Sequence, residues 1–165
     1  MSAASAQRWE LLARDGAVVL VADVDAERAR TIAASLGGSA VEAGYAIATE
    51  CDVYAPCALG ATLSTESVPQ LRCRIVAGSA NNQLAQPEAA DLLRAAGIVY
   101  APDYVINAGG AIAINFLELN GRTQADVDVA LVRIGATLGE IYVRADTEGI
   151  TTAAAADALA AARLT

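Results

Sequence analysis

Along the chain, apolar positions fall into short continuous runs that alternate with stretches of helical spacing. Trp9, Leu11, Leu12 and Ala13, with Ala6 a turn earlier, lie toward one face of a helix over residues 1–15, and Gly16 stands where a helix-ending glycine belongs. Residues 17–23, AVVLVAD, form an unbroken run rich in β-branched side chains, the pattern of a strand buried on both faces of a parallel sheet. DAERARTIAASLGG then returns to helical spacing and stops at paired glycines. ECDVYAPC from Glu50, RCRIVAG from Arg72 and GIVYAPD from Gly97 each read as a short strand running into a loop, with helical stretches expected between them. In the last interval PEAADLLRAAG, with Pro87 at a first helical position and Gly97 closing it, is the crossover between two parallel strands.

After Gly110 the strand pattern ceases, and AIAINFLELNG, TQADVDVALVRIGATLGEIYVRADTEG and TTAAAADALAAARL read as successive helices. The fold class is therefore α/β: a Rossmann-like doubly wound parallel sheet over residues 1–110, with a helical C-terminal tail over residues 111–165 packed on it. A complete unit of this kind opens with a strand and a GxGxxG turn before its first helix. The sequence as given starts inside that helix, so the expected sheet lacks its first strand and its glycine loop.

Composition narrows the chemistry. The chain has 165 residues, 55% of them hydrophobic, and a formal charge of −8; it has no histidine, and all 11 basic residues are arginine. A chain of this length buries a sizeable core. Without His there is no Ser-His-Asp triad and no imidazole metal ligand, and without Lys no Schiff base, lysine base or P-loop lysine. Arginines scattered singly on an acidic chain make no basic stripe for nucleic acid. Cys51, Cys57 and Cys73 form no CxxC pair, so they read as free thiols in a core, with no metal site. Cys57 as a nucleophile lacks any accompanying base. No run approaches the length of a membrane helix and no signal-peptide pattern opens the chain, which points to a cytoplasmic protein with no membrane partner.

Ligands of doubly wound sheets sit beyond the carboxyl ends of the strands. Asp23 closes its strand where a Rossmann acid takes ribose hydroxyls; alternatively Asp23 or Asp25 caps the following helix. Three loops follow three strands: YAPCALG from Tyr54, GSANNQL from Gly78 and APDYVINAGG from Ala101. They bring Cys57, Asn81, Asn82, Gln83, Asp103 and Asn107 to one rim, where neutral amides suit a carboxamide, ribose or carboxylate. The same residues also serve plain turns.

CDVYAPCALG, RIVAGSANNQL and GIVYAPDYVINAGG, in this order, resemble the cofactor half of the glutamate/leucine/phenylalanine/valine dehydrogenase family, most of all its leucine, valine and phenylalanine branches. The resemblance covers essentially the whole chain. It implies NAD as cofactor and oxidative deamination of a branched-chain or aromatic L-amino acid to its 2-oxo acid. By motif, Asp23 resembles the ribose-binding acid; Ala55, Pro56, Cys57, Ala58 and Leu59 resemble the loop beneath the cofactor; Asn82 and Asn107 would face nicotinamide and substrate. An acid at position 23 favours NAD over NADP by repelling a 2′-phosphate.

The resemblance also marks departures. The family's catalytic lysines belong to an N-terminal domain, so no catalytic residue is assigned here and the chain is not competent alone. Ala61 replaces the second glycine of the family's ALGG, and AIAINFLELNG has one residue more than the relatives' link, with Glu118 matching their glutamate. Ile112, Ile114, Phe116 and Leu117 either pack on the domain's own sheet or form an association surface. Two readings result: the NAD-binding portion of an amino-acid dehydrogenase, partnered by a complementing N-terminal catalytic segment or by copies of itself, or a non-catalytic remnant acting in binding or self-association.

Overall fold

The computed structural model describes residues 3–164, with side chains described from Trp9 onward, so the expected place of Ala6 on the first helix's apolar face lies outside the described side chains. The chain divides into two compact units, residues 1–49 and 50–165.

In the first unit, α1 (Ala3–Arg14) leads to β1 (Leu20–Asp23), α2 (Ala26–Ser35), β2 (Ser39–Glu42) and a 3-10 segment, Ala43–Ala48. Gly16 takes the left-handed conformation at φ 90°, as the sequence predicts for the end of the first helix. β1 and β2 pair in parallel, from Leu20 opposite Ser39 to Asp23 opposite Glu42, with α2 as the crossover. Ala29 and Ala33 are buried on α2, and their small side chains let the helix lie close against both strands. The strand β2, SAVE, is absent from the sequence prediction because it has too few apolar residues to show a period; β1 supplies it with a partner instead. Val19 is buried, but Val18 and Leu20 are 85% and 42% exposed, so the first apolar run is not covered on both faces within the described residues.

The second unit holds a parallel sheet in the order β3 (Val53–Tyr54), β4 (Ile75–Val76), β5 (Val99–Tyr100). Val53, Ile75 and Val99 lie in register, partly exposed, while Val76 and Tyr100 turn into the core with Leu63, Val68, Leu93 and Ile98. The predicted crossover between β4 and β5 is present as α3 (Glu88–Ala95), starting after Pro87. The helix expected between β3 and β4 is not: that connection contains only a 3-10 turn, Val68–Gln70. Pro56 and Pro69 remove backbone donors there, and hydroxyls satisfy the rest locally. Ser64 Oγ accepts from the Glu66 and Ser67 amides, and Ser67 Oγ donates to the Thr62 carbonyl at 2.7 Å.

Beyond β5 the chain is helical, as predicted: α4 (Asp103–Ile106), α5 (Gly109–Ala113), a π-helix (Ile114–Leu119), α6 (Gln124–Glu148) and α7 (Thr152–Leu164). The π-helix accommodates one more residue per turn than an α-helix, and its last bond runs from the Asn120 amide to the Asn115 carbonyl. Within the candidate patch Ile114 and Leu117 are exposed, while Ile112 and Phe116 are half-buried. Ile141 and Ala145 of α6 pack against Ala155 and Ala156 of α7, a contact that small residues bring close. No helix among the described residues is long and apolar enough to cross a membrane.

α6 begins at a complete capping box: Thr123 Oγ1 accepts from the Asp126 amide, and the Asp126 carboxylate accepts from the Thr123 amide at 3.0 Å. The Thr123 amide, and then the Thr123 hydroxyl, both donating to the carboxylate, hold the Asp126 carboxyl below its usual range. Thr123→Ala is expected to cost about 1 kcal/mol in urea unfolding, with Thr123→Ser restoring most of it.

Candidate functional site

The three loops after β3, β4 and β5 close on one another through backbone atoms. The Ala80 amide donates to the Pro56 carbonyl at 2.9 Å, tying the second loop to the first. The Ala61 amide donates to the Asn82 carbonyl at 2.6 Å, and Leu63 pairs with Leu84 through an isolated parallel bridge. Such approach needs glycine: a Cβ on Gly78 would stand 2.1 Å from the Pro56 carbonyl oxygen, and one on Gly60 2.6 Å from that of Asn81.

The third loop is pinned by a buried acid. Asp103 opens α4; its Oδ2 accepts from the Asn82 amide at 2.7 Å and its Oδ1 from the Tyr100 hydroxyl at 2.7 Å. Asn82 is thereby held at φ 52°, in the left-handed region. Burial, and then the Asp103 carboxylate, push the Tyr100 phenol far above its ordinary range, so the hydroxyl remains a donor. Asn107 at the end of α4 donates from Nδ2 to Asn81 Oδ1 at 2.7 Å, fixing which amide edges stay free.

The predicted rim residues Ala55, Pro56, Cys57, Ala58, Leu59, Asn82 and Asn107 all lie on these loops. Pro56 is buried and structural; Cys57, Ala58 and Leu59 are exposed, Leu59 by 76%, and Asn107 is half-buried. All three cysteines are free, but Cys57 is exposed and Cys51 and Cys73 are half-buried, which corrects the reading of three core thiols. Burial pushes the Cys51 and Cys73 thiols up. Gln83 is fully buried rather than rim-lining: its Nε2 donates to the Gly78 and Ala80 carbonyls, both at 2.9 Å, and stiffens the turn. Tyr100 and Gly78 were not singled out from sequence; a Tyr three residues before Asp at a strand end is the signal that points to the first.

Asp23 lies in the first unit at the carboxyl end of β1. The alternatives for it separate cleanly: Asp25 is the N-cap of α2, accepting from the Arg28 amide at 3.1 Å, while Asp23 Oδ1 accepts from the Asp25 amide at 2.9 Å. Arg28 stands 3.8 Å from Asp23 Oδ2 and 3.5 Å from Asp25 Oδ2. Two carboxylates facing one guanidinium leave this corner net negative. Among the described residues no cluster of three or more His, Cys, Asp or Glu side chains is arranged to hold a metal ion.

Comparison with known proteins adds a lineage to this geometry. Residues 13–164 match the sequence family described as Glutamate/Leucine/Phenylalanine/Valine dehydrogenase. Leucine dehydrogenase of Bacillus cereus is 43% identical over 150 residues, covering 91% of this chain and 41% of that protein. Valine dehydrogenase of Streptomyces albus is 40% identical over 158 residues, covering 94% of this chain and 43% of that protein. The crystal structure of L-tryptophan dehydrogenase from Nostoc punctiforme superposes with a TM-score of 0.89 at 36% identity, over 94% of this chain and 46% of that one. The chain thus spans about two-fifths of the length of its curated relatives.

Two measurements test the interlock. Ala61 sits at φ 55°, a conformation that strains any side chain with a Cβ, so Ala61→Gly should be neutral to stabilising by up to about 1 kcal/mol in thermal unfolding, whereas Gly78→Ala should destabilise by about 2 kcal/mol or more. For Tyr100 the folded chain keeps the proton that the unfolded chain releases above about pH 10, so this tyrosine contributes stability in full below that pH and loses about 1.4 kcal/mol per unit above it. Tyr100→Phe should flatten that alkaline limb of the stability profile and, at neutral pH, cost about 1–3 kcal/mol by leaving Asp103 Oδ1 without its donor.

Proposed function

The chain belongs to the glutamate/leucine/phenylalanine/valine dehydrogenase family, and from that premise we propose that it is the NAD-binding portion of an amino-acid dehydrogenase acting on a branched-chain or aromatic L-amino acid. The observation that carries the reading is the interlocked rim of the second unit, where neutral amides and small or apolar side chains surround backbone fixed by a buried acid.

The donor set suits a dinucleotide. Asn82 presents an exposed side chain on a fixed left-handed backbone, and Asn107 retains a carbonyl oxygen while its amide nitrogen holds Asn81. Such groups hydrogen-bond a carboxamide without placing a charge beside a ring whose own charge changes. Ala58 and Leu59 offer apolar surface to a flat ring, and Ala55 and Cys57 flank them. In the first unit, Asp23 accepts from ribose hydroxyls with the oxygen edges that Asp25 and Arg28 leave free. The net negative corner there favours NAD over its 2′-phosphorylated form.

When bound, the nicotinamide supplies the redox chemistry, accepting a hydride from the amino-acid carbon. The chain's own part is to orient that ring and exclude alternatives to one face of it. The sequence contains no lysine or histidine, so within this chain the rim provides position without an amine or imidazole to move the proton of deamination. We assign that step to a catalytic segment outside residues 1–165, and assign residues 1–110 to cofactor binding with residues 111–165 as the helical tail packed on it.

Fluorescence titration with NADH tests the assignment. Saturable binding is expected, weakened about tenfold by Asp23→Ala and by Asn107→Ala, which corresponds to about 1.4 kcal/mol for one lost hydrogen bond to a polar ligand. NADPH should bind more weakly than NADH. Addition of the catalytic segment of a leucine dehydrogenase relative should yield NAD reduction with L-leucine, L-valine or L-phenylalanine. A folded chain that shows no saturable NADH binding would sink the reading.

A further inference from the structure

α4 is a single turn, Asp103–Ile106. The Val105 and Ile106 amides donate to the Pro102 carbonyl, and the Asn107 amide donates to the Asp103 carbonyl at 2.9 Å. One turn is too short to hold its own geometry in water, so its rotation is set by what grips it. Asp103 grips its start, through the Asn82 amide and the Tyr100 hydroxyl. An anchor at one end leaves turning about the helix axis open. Asn107, four residues after Asp103 and on the same side of the turn, would swing with it.

The second grip comes from α7. The Tyr104 hydroxyl donates to Asp157 Oδ1 at 2.7 Å and stands 3.3 Å from the Ala153 carbonyl oxygen, one turn earlier on the same helix. Asp157 is the sole acid in the alanine-rich sequence of α7, and it lies 53 residues beyond Tyr104. Burial of the ring, and then the Asp157 carboxylate, push the Tyr104 phenol far above its ordinary range, so the hydroxyl remains a donor. Val105 packs beside it against the cluster of Ile141, Ala145, Ala155 and Ala156. An apolar contact of that kind is non-directional and tolerates small rotations. A hydroxyl bonded to a carboxylate is short and directional, and it does not.

We infer that Tyr104 and Asp157 are positioning residues for the cofactor rim: their bond fixes the rotation of α4 at which Asn107 Nδ2 reaches Asn81 Oδ1, at 2.7 Å, and leaves the Asn107 carbonyl oxygen for the ligand. Neither residue touches the ligand; both act through Asn107. The effect on cofactor affinity rests on the NAD reading, whereas the effect on Asn107 itself does not. The helical tail is then a working part of the rim and not only a cover for the sheet, because α7 decides which way the third loop turns its amide.

Two readings on the 15N-labelled chain test this: the side-chain amide signal of Asn107 without ligand, and fluorescence titration with NADH. Tyr104→Phe and Asp157→Ala are each expected to move the Asn107 signal toward that of an amide with no protein acceptor. They should weaken NADH binding about fivefold, less than Asn107→Ala does, because they act through that residue. Tyr104→Phe combined with Asn107→Ala should bind NADH no more weakly than Asn107→Ala alone, a non-additivity that a general loss of stability does not produce. Asp157→Asn keeps an oxygen acceptor and should restore both readings nearly to wild type. Both side chains are exposed, so the variants are expected to retain the wild-type backbone spectrum. The proposal is overturned by an Asn107 signal that neither variant moves, or by losses of affinity that add in the double variant. A wild-type chain that binds no NADH overturns the cofactor reading and the affinity half of the proposal with it, and the Asn107 signal still decides whether α7 sets α4.

Discussion

The Asp103 carboxylate, almost fully buried, is the constraint on which the rim of the second unit depends. A buried carboxyl group is tolerated only when its oxygens are satisfied, and here one takes the Tyr100 hydroxyl and the other the Asn82 amide. The first bond ties the loop to the core, since Tyr100 is packed with Val76 and Leu93. The second ties it to the preceding loop. Removing either donor leaves one oxygen of the buried acid without its partner and loosens one of the two ties that the third loop makes. Asn82, which would otherwise leave the left-handed region, is kept there by an acid 21 residues further along the chain.

The same economy explains why the rim is neutral at its surface while its foundation is charged. The carboxylate that organises it faces inward, and the groups that face outward are amides, alanines and an exposed leucine. Charge in the first unit is handled differently: Asp23 and Asp25 share one arginine at the surface, where solvent screens the pair and its contribution to stability is small. One arrangement fixes geometry; the other sets a local sign of potential.

What could be read from the sequence was what has a local cause. Pro87 and Gly97 bracket α3, Thr123 opens α6, and β-branched runs mark β1, β4 and β5. The motif loops could be named because their residues are contiguous. Asp103 stood among the rim candidates, but its partners could not be told: the bonds from Asn82 to Asp103 and from Asn107 to Asn81 span 21 and 26 residues, and no periodicity reports them. β2 escaped because a parallel partner, not its own composition, makes SAVE a strand. The helix expected after β3 failed against two prolines and a set of hydroxyls that bond their own backbone. The departure at Ala61 was visible as a missing glycine, but its meaning is geometric and emerges only with its positive φ.

β3, β4 and β5 are each only two residues long, so their ladder contributes few hydrogen bonds. The cross-loop bonds at Ala61, Leu63, Ala80 and Ala85 extend the connection past the ends of the sheet, over segments that carry no strand geometry. Holding the three strands side by side is accordingly shared between the ladder and the loops, so a local opening at Ala61, Leu63, Ala80 or Ala85 would release the strand ends with it.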